Sequence, residues 1–295
     1  MNTNDLKIFE AVAESGSFTK AADLMFTVQS NVTARIKSLE EEFDTKLFSR
    51  TSRKVDLTEE GKILMRYAQQ IQHLVQEAKN EIKSSDIVTG HLTIGCMETT
   101  MALKAPEILL AFGQKYPNIE LEFKSEDRDV LILDVLNYKL DAAFVSAPLN
   151  TNGLKQIKIK EEQLVILASS KQPSLNKLVT QEPLKSIVFD NGCIFRERLE
   201  SWFTHKGVHN YKSIELNSIE GIINFVEAGL GISLLPEEIL SQYYQNRKIC
   251  TYPLSKQLGT MTTLLVYRKD KTPSKALQSF IDMYKQDLTL EKQML

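Results

Sequence analysis

Residues 17–43 read Ser17-Phe18-Thr19-Lys20-Ala21-Ala22-Asp23-Leu24-Met25-Phe26-Thr27-Val28-Gln29-Ser30-Asn31-Val32-Thr33-Ala34-Arg35-Ile36-Lys37-Ser38-Leu39-Glu40-Glu41-Glu42-Phe43. Two short helices that cross steeply need small residues at the crossing and apolar residues holding each helix to a core. Ala21 and Ala22 supply the first requirement, and Leu24, Val32, Ile36 and Leu39 are expected to supply the second. The face of the second helix opposite Val32, Ile36 and Leu39 shows Gln29, Ser30, Asn31, Thr33, Arg35 and Lys37. Such side chains bond base edges in a major groove and phosphates beside it. The stretch therefore reads as a helix-turn-helix, with Phe18 and Thr19 at the start of its first helix as additional contacts. Ser30 is placed to cap the second helix.

Working outward, the chain turns at Asp44-Thr45, and Leu47-Phe48 is expected to return to the core before Arg50-Thr51-Ser52-Arg53-Lys54 forms a wing. Arg50, Arg53 and Lys54 would then hold phosphate or enter the minor groove. Thr58 is a good N-cap, and Glu59 and Glu60 suit the positive end of the helix that follows. That helix is expected from Glu59 to about Asp86, roughly 40 Å at 1.5 Å per residue. Its apolar positions Leu64, Tyr67, Ile71, Leu74 or Val75, Ala78 and Ile82 recur at steps of three and four, the pattern of a helix lying along another helix.

Composition bounds the rest. A chain of 295 residues favours two or more domains. No apolar run of about 18 residues is present to span a bilayer, and the N-terminus has no basic start followed by an apolar core, so no signal peptide is expected. Cys96, Cys193 and Cys250 are too few and scattered for a disulfide framework or clustered zinc site, which suits a reducing, cytoplasmic compartment. The net charge of -2 argues against a generally basic architectural DNA binder. Residues 1–58 carry eight Lys/Arg against nine Asp/Glu, so arrangement matters more than sum.

Beyond Ser84-Ser85-Asp86 the pattern alternates. Strands are expected at 91–95, 119–123, 140–145, 164–167, 187–189, 231–236 and 263–267. Helices are expected at 106–116, 130–138, 193–206 and 274–288. Alternation of this kind implies an α/β region with a largely parallel sheet, here in two lobes. Ligands in such folds sit outside the C-terminal ends of strands and between lobes. Three segments qualify: Cys96-Met97-Glu98-Thr99-Thr100, Ser146-Ala147-Pro148, and Asp190 to Arg198. Glu98, Thr99, Thr100, Ser146, Asn191, Cys193 and Arg196 are the candidate ligand contacts. Arg196, in the first turn of a helix, opposes the dipole there. A bound carboxylate would relieve that opposition, and Glu98 nearby suits a mixed-charge ligand.

Other motifs point to packing. Cys96 and Cys193 are read as small buried hydrophobes more readily than as a redox pair. His205 and His209 have a helical metal spacing, but Gly207 stands between them, and no metal or other cofactor is expected. Gly229-Leu230-Gly231-Ile232 follows a helix and enters a strand, the wrong context for a phosphate loop. No serine-hydrolase elbow, zinc-protease helix or phosphate-loop lysine is present, so the chain is not read as an enzyme.

Five motifs stand at one family's spacing: Leu6-Lys7-Ile8-Phe9; Ala13 to Ala22; Ile36-Lys37-Ser38-Leu39-Glu40-Glu41-Glu42; Leu47-Phe48-Ser49-Arg50; and Val55-Asp56-Leu57-Thr58-Glu59-Glu60-Gly61. In these the chain resembles LysR-type transcriptional regulators. It departs where the family commonly has Ser-Gln-Pro, here Val28-Gln29-Ser30. The resemblance implies a winged helix-turn-helix DNA-binding domain at 1–58, a linker and dimerisation helix at 59–87, and an effector-binding domain at 88–295 resembling periplasmic binding proteins. Lobe I would comprise 88–161 and 267–295, and lobe II 162–266, with crossings near Lys160 to Gln163 and Thr262 to Tyr267. It further implies self-association as a dimer and commonly a tetramer, and a pseudo-palindromic operator in double-stranded DNA. A small-molecule effector, anionic or zwitterionic, would bind between the lobes, and RNA polymerase would be a partner where the protein activates.

Overall fold

The computed structural model describes residues 1–50, 55–83, 88–172, 174–180, 183–190 and 192–293. The chain divides into two compact units, Met1–Asp86 with Asn137–Lys139, and Ile87–Leu136 with Leu140–Leu295.

In the first unit, helix α1 (Thr3–Ser15) starts from a capping box. The Asn2 side chain accepts from the Asn4 and Asp5 N–H groups, and the Asp5 carboxylate accepts from Asn2 N at 2.9 Å, satisfying donors a helix start leaves open. The helix ends at Gly16, whose φ of 61° is the left-handed stop that glycine adopts readily. Helix α2 (Phe18–Leu24) is capped by Ser17, and α3 (Gln29–Glu42) follows. The expected cap at Ser30 is not used: Val28 occupies the N-cap without a side-chain bond, and Ser30 lies exposed inside the first turn.

Leu6, Ile8, Phe9, Val12, Phe18, Ala21, Ala22, Val32, Ile36, Leu39, Leu47 and Phe48 form one core. Leu24 is a correction, being 62% exposed. Phe18, Ala21, Ala22 and the half-buried Met25 stand at positions i, i+3, i+4 and i+7 and take the inward face of α2, which turns Leu24 outward. Strands β1 (Phe48–Arg50) and β2 (Val55–Leu57) pair antiparallel. Glu40 fixes their approach: its buried carboxylate accepts from Lys46 Nζ at 2.9 Å and from Leu47 N at 3.0 Å. Helix α4 (Glu59–Lys83) begins at Thr58, whose hydroxyl accepts from Gly61 N at 2.9 Å. Its 25 residues make a rod of about 37 Å.

The second unit is a two-lobed α/β structure. In chain order it comprises β3 (Gly90–Cys96), α5 (Glu98–Leu103), α6 (Ala105–Lys115), β4 (Ile119–Ser125), α7 (Arg128–Leu136) and β5 (Ala142–Ser146). The 16-residue β6 (Leu154–Ser169) leads to α8 (Leu175–Val179), β7 (Leu184–Val188), α9 (Ile194–His205), β8 (Tyr211–Glu215) and α10 (Ile219–Glu227). Then come β9 (Ser233–Pro236), α11 (Glu237–Tyr243), β10 (Ile249–Pro253), α12 (Lys256–Gly259), β11 (Thr260–Arg268) and α13 (Lys275–Gln293).

The sheet runs β10-β6-β11-β5-β3-β4, with β9 also on β6, while β7 and β8 pair separately. The largely parallel sheet expected from the alternation is corrected. Among the described strands β3 pairs parallel with β4 and β5, and β7 with β8, whereas β6, β9, β10 and β11 pair antiparallel. The physical reason is the pair of crossings. Strand β6 leaves one lobe in its Leu154–Gln163 half and enters the other in its Leu164–Ser169 half, and β11 returns beside it in the opposite direction. All of β11 pairs with the Leu154–Gln163 half, and their register shifts at Thr263/Leu264, opposite Lys160 and Lys158. Each lobe has a core on both faces: Phe112, Phe144 and Phe280 on one side of the first lobe and Leu131, Val135 and Val145 on the other. The second lobe packs Leu199, Trp202 and Phe203 on one side and Ile222, Ile223 and Val226 on the other.

Candidate nucleic-acid interface and ligand cleft

Helix α3 buries Val32, Ile36 and Leu39, which leaves Gln29, Ser30, Arg35 and Lys37 exposed and Asn31 and Thr33 half-buried. Thr19 Oγ1 donates to Gln29 Oε1 at 3.2 Å, joining the starts of α2 and α3 and leaving the Gln29 amide hydrogens for another acceptor. Asn31 Nδ2 donates to Thr27 Oγ1 at 2.9 Å, so its carbonyl oxygen remains outward-capable as an acceptor. Thr33 Oγ1 donates to the Gln29 carbonyl at 3.0 Å. Lys37 makes an exposed 3.5 Å pair with Glu41, too weak to withhold its ammonium from a phosphate.

Arg35 is more constrained than its position in the motif suggests. Its Nη1 lies 3.3 Å from Asp5 Oδ1, and that carboxylate is buried. Phe18 is a correction: it is buried and meets Phe48 edge-on at 5.9 Å, so it holds α2 to the core. Its place in the inward i, i+3, i+4 set of α2 is the cause. Arg50 closes β1 opposite Val55. Arg53 and Lys54 lie outside the described residues.

On α4 the apolar positions split. Leu64 is buried in the core of its own unit and Ile71 packs partly against it, a correction to their expected availability to a partner helix. Tyr67, Leu74, Ala78 and Ile82 remain exposed, joined by Ile63. At 3.6 residues per turn, Ile63, Tyr67, Leu74 and Ala78 fall within about 60° of one another, a single stripe.

The second unit holds a cleft of about 220 Å3 lined by Met97, Glu98, Thr99, Ser125, Glu126, Asp127, Arg128, Phe189, Asp190, Gly192, Cys193, Ile194, Phe195 and Asn217. These residues follow the C-terminal ends of β3, β4, β7 and β8, where parallel strands leave backbone groups and loops free for a ligand. Of the expected contacts, Glu98, Thr99 and Cys193 line it. Thr100 and Ser146 are buried and do not, and Asn191 lies outside the described residues. Ser146 acts at one remove, its carbonyl accepting from Arg128 Nε at 3.1 Å.

Arg196 is a further correction. It donates to Glu200 Oε1 at 3.0 Å and to Glu215 Oε1 at 2.6 Å, and is not among the lining residues. Glu215 first and then Glu200 raise its already high pKa, fixing the guanidinium as a structural cation. Arg198 is likewise committed, donating to the carbonyls of Leu258 and Thr260 at 2.8 and 2.7 Å. The guanidinium in the cleft is instead that of Arg128, held by the Ser146 and Pro148 carbonyls. Sequence reasoning missed Ser125 to Arg128 and Asn217, although the rule that selected the loops after β3 and β7 also applies to those after β4 and β8.

Burial, with Glu98 adding to it, pushes the Cys96 thiol up to about 12. Burial also raises the Cys193 thiol, outweighing the backbone N–H groups of Phe195 and Arg196. Both shifts disfavour the thiolate that redox chemistry needs. Gly207, with a φ of 71°, lies just past the end of α9 at His205, and the described residues contain no metal-holding group of His, Cys, Asp or Glu. Gly231 has close backbone packing as its reason, since a Cβ there would stand 2.5 Å from the Lys185 carbonyl oxygen.

No helix among the described residues is long and apolar enough to cross a membrane. Residues 3–62 match the family described as bacterial regulatory helix-turn-helix protein, lysR family, and residues 85–289 match the LysR substrate binding domain. The chain is 38% identical over 293 residues to the HTH-type transcriptional regulator YusT of Bacillus subtilis (strain 168), covering 99% of this chain and 98% of that one. It is 35% identical over 281 residues to the regulator GltR of the same organism, covering 95% of each. Full-length CbnR in complex with its target DNA shares the fold with a TM-score of 0.70 at 20% identity, over 97% of this chain and 99% of that one. Full-length BenM aligns with a TM-score of 0.58 at 24% identity, over 99% and 98%. These relatives are regulators and not enzymes, and this chain belongs to the LysR family of DNA-binding transcriptional regulators.

Proposed function

We propose that this regulator reads a pseudo-palindromic operator in the cytoplasm as a dimer or tetramer, and that a small molecule in the cleft of its second unit changes its grip on DNA. The observation that carries the reading is the convergence of the loops after β3, β4, β7 and β8 on one cleft. Among the described residues, Glu98, Glu126, Asp127 and Asp190 line that cleft against one cation, Arg128. A wholly anionic effector, one of the two forms expected from sequence, meets four carboxylates there, and the cation that was to hold it, Arg196, is spent on Glu200 and Glu215. A zwitterion or amine-bearing ligand fits better. Its carboxylate would meet Arg128 and the first turn of α9, where backbone N–H groups carry the positive end of the helix dipole, and its amino group the carboxylates.

Gln29, Ser30, Asn31 and Thr33 would read the operator from α3, with Thr19 orienting Gln29, Lys37 on phosphate, Arg50, Arg53 and Lys54 on the backbone, and Arg35 setting the helix. The exposed stripe of Ile63, Tyr67, Leu74 and Ala78, with Ile82 at its edge, would pair with a second copy, placing two reading heads on two half-sites. Movement of the lobes is restrained by Glu238, which pairs with Lys104 at 3.2 Å and with Lys160, and by Tyr243 Oη donating to the Ala102 carbonyl at 3.3 Å. The response to effector is therefore a small rotation against these contacts.

A thermal-shift screen of amino acids, diamines and dicarboxylates against the full-length protein tests the cleft. A stabilising compound is then titrated with and without operator duplex. Binding linkage requires the ligand to gain or lose affinity on DNA by the factor with which it alters DNA affinity. Identical ligand affinity in the two titrations, alongside a ligand-dependent change in DNA binding, would break that requirement and remove the cleft as the regulatory site.

A further inference from the structure

The turn joining α2 to α3 contains a residue that the fold does not explain. Three hydrogen bonds close the end of α2: Met25 N to the Ala21 carbonyl at 2.9 Å, Phe26 N to Asp23 at 3.2 Å and Thr27 N to Ala22 at 2.9 Å. The last two, spanning four and six residues, make a Schellman cap, which places one residue in the left-handed region. That residue is Phe26, with a φ of 50°. Glycine adopts this conformation without strain and asparagine tolerates it, whereas a bulky aromatic residue is a genuine outlier there. Packing offers no compensation, because Phe26 is 99% exposed. Its sequence neighbours Leu24 and Val28 are also exposed, at 62% and 65%.

We propose that Phe26 is a DNA-contacting residue, seating its ring on the deoxyribose and thymine-methyl surface at the edge of the groove that α3 enters. Continuity with the reading face identifies the occupant. Phe26 lies three residues before Gln29, and the same turn carries Thr27, which holds Asn31, while Thr19 at the start of α2 holds Gln29. A ring fixed at this point meets DNA as soon as the first turn of α3 does, and thymine methyls and sugars are the apolar surfaces duplex DNA offers. Strain without compensating packing is what a contact site carries when its partner is absent. The inference rests on the DNA-binding role of the family and adds to it a contact made through neither charge nor hydrogen bonding.

The test uses the full-length protein and a labelled 30-bp duplex enriched by the wild type from a random pool, so that wild-type binding is assured. Phe26→Gly and Phe26→Asn both suit the left-handed turn and are expected to melt at or above the wild-type temperature. Both are expected to lose about tenfold or more in DNA affinity, while Phe26→Tyr retains it. The slope of log affinity against log salt should stay at the wild-type value, because no phosphate neutralisation is lost. Wild-type affinity in the Gly and Asn variants overturns the proposal and assigns the ring to a protein partner. A reduced salt slope overturns it as well, by making the contact electrostatic.

Discussion

Arg35 on the recognition helix lies 3.3 Å from the buried carboxylate of Asp5, which also closes the capping box at the start of α1. One carboxylate therefore ties the orientation of α3 to the first helix of the unit. If Arg35 works through this link, Asp5→Asn, which alters no group on the reading face, lowers operator affinity as Arg35→Gln does, and the double variant is no worse than either alone. Additive losses measured by fluorescence anisotropy would instead make Arg35 a direct DNA contact.

Glu40 supplies a second restraint. Burial alone would push its carboxyl up, but Lys46 and the backbone N–H groups of Leu47 and Phe48 outweigh burial and hold it below the usual carboxylate range. Its stabilising effect is present above the unfolded-state pKa and is lost as pH falls through the folded one. Glu40→Gln should cost about 1–3 kcal/mol at neutral pH, the range for disrupting a charged, buried hydrogen-bonded group. Denaturant midpoints of variant and wild type should converge as pH is lowered towards 3.

Glu10 shifts in the opposite direction. Burial, and then the neighbouring Glu14, raise it to about 7. One of its oxygens accepts from Gln72 Nε2 on α4 at 2.6 Å, and the other is buried without a partner among the described residues. Because the folded value lies above the unfolded one, the stabilising contribution is complete below about pH 4.5 and is lost as pH rises through about 7. Glu10→Gln should therefore raise amide-exchange protection in α1 and α4 more at pH 8.5 than at pH 5. Equal protection at the two values would show that Glu10 is not held in its acid form.

Gly61 lies where α4 meets β1: a Cβ there would stand 2.1 Å from the Leu47 carbonyl oxygen, a backbone atom that cannot rotate away. Gly61→Ala should destabilise the first unit by about 1–3 kcal/mol despite alanine's better helix propensity, as overpacking does. A neutral or stabilising effect on the denaturant midpoint would contradict this packing.

The helix-turn-helix was legible because its signals are local: alanines at the crossing, a 3.6-residue apolar period and the Thr58 cap. Its errors were also local. Leu24 and Phe18 exchange the roles assigned to them because the seven-residue α2 admits only one inward face. In the second unit, the half of β6 from Leu154 to Gln163 reads Leu-Lys-Gln-Ile-Lys-Ile-Lys-Glu-Glu-Gln and carries too much charge to announce a strand that crosses between lobes. Its pairing with β11 is a long-range relationship that periodicity does not encode. Arg196 reads as a ligand contact because its partner Glu215 lies 19 residues away on another element, whereas the cation that lines the cleft, Arg128, stands just past the end of β4.

The most direct measurement is sequencing of genomic fragments captured by the purified full-length protein, followed by anisotropy on the enriched duplex and on a scrambled copy, with Gln29→Ala and Asn31→Ala as comparisons. The account predicts a few sites sharing an inverted repeat, tight binding that the scrambled duplex does not reproduce, and a loss of that discrimination in both variants. Even coverage of the genome, or variants that discriminate as well as the wild type, would contradict the claim that α3 reads an operator.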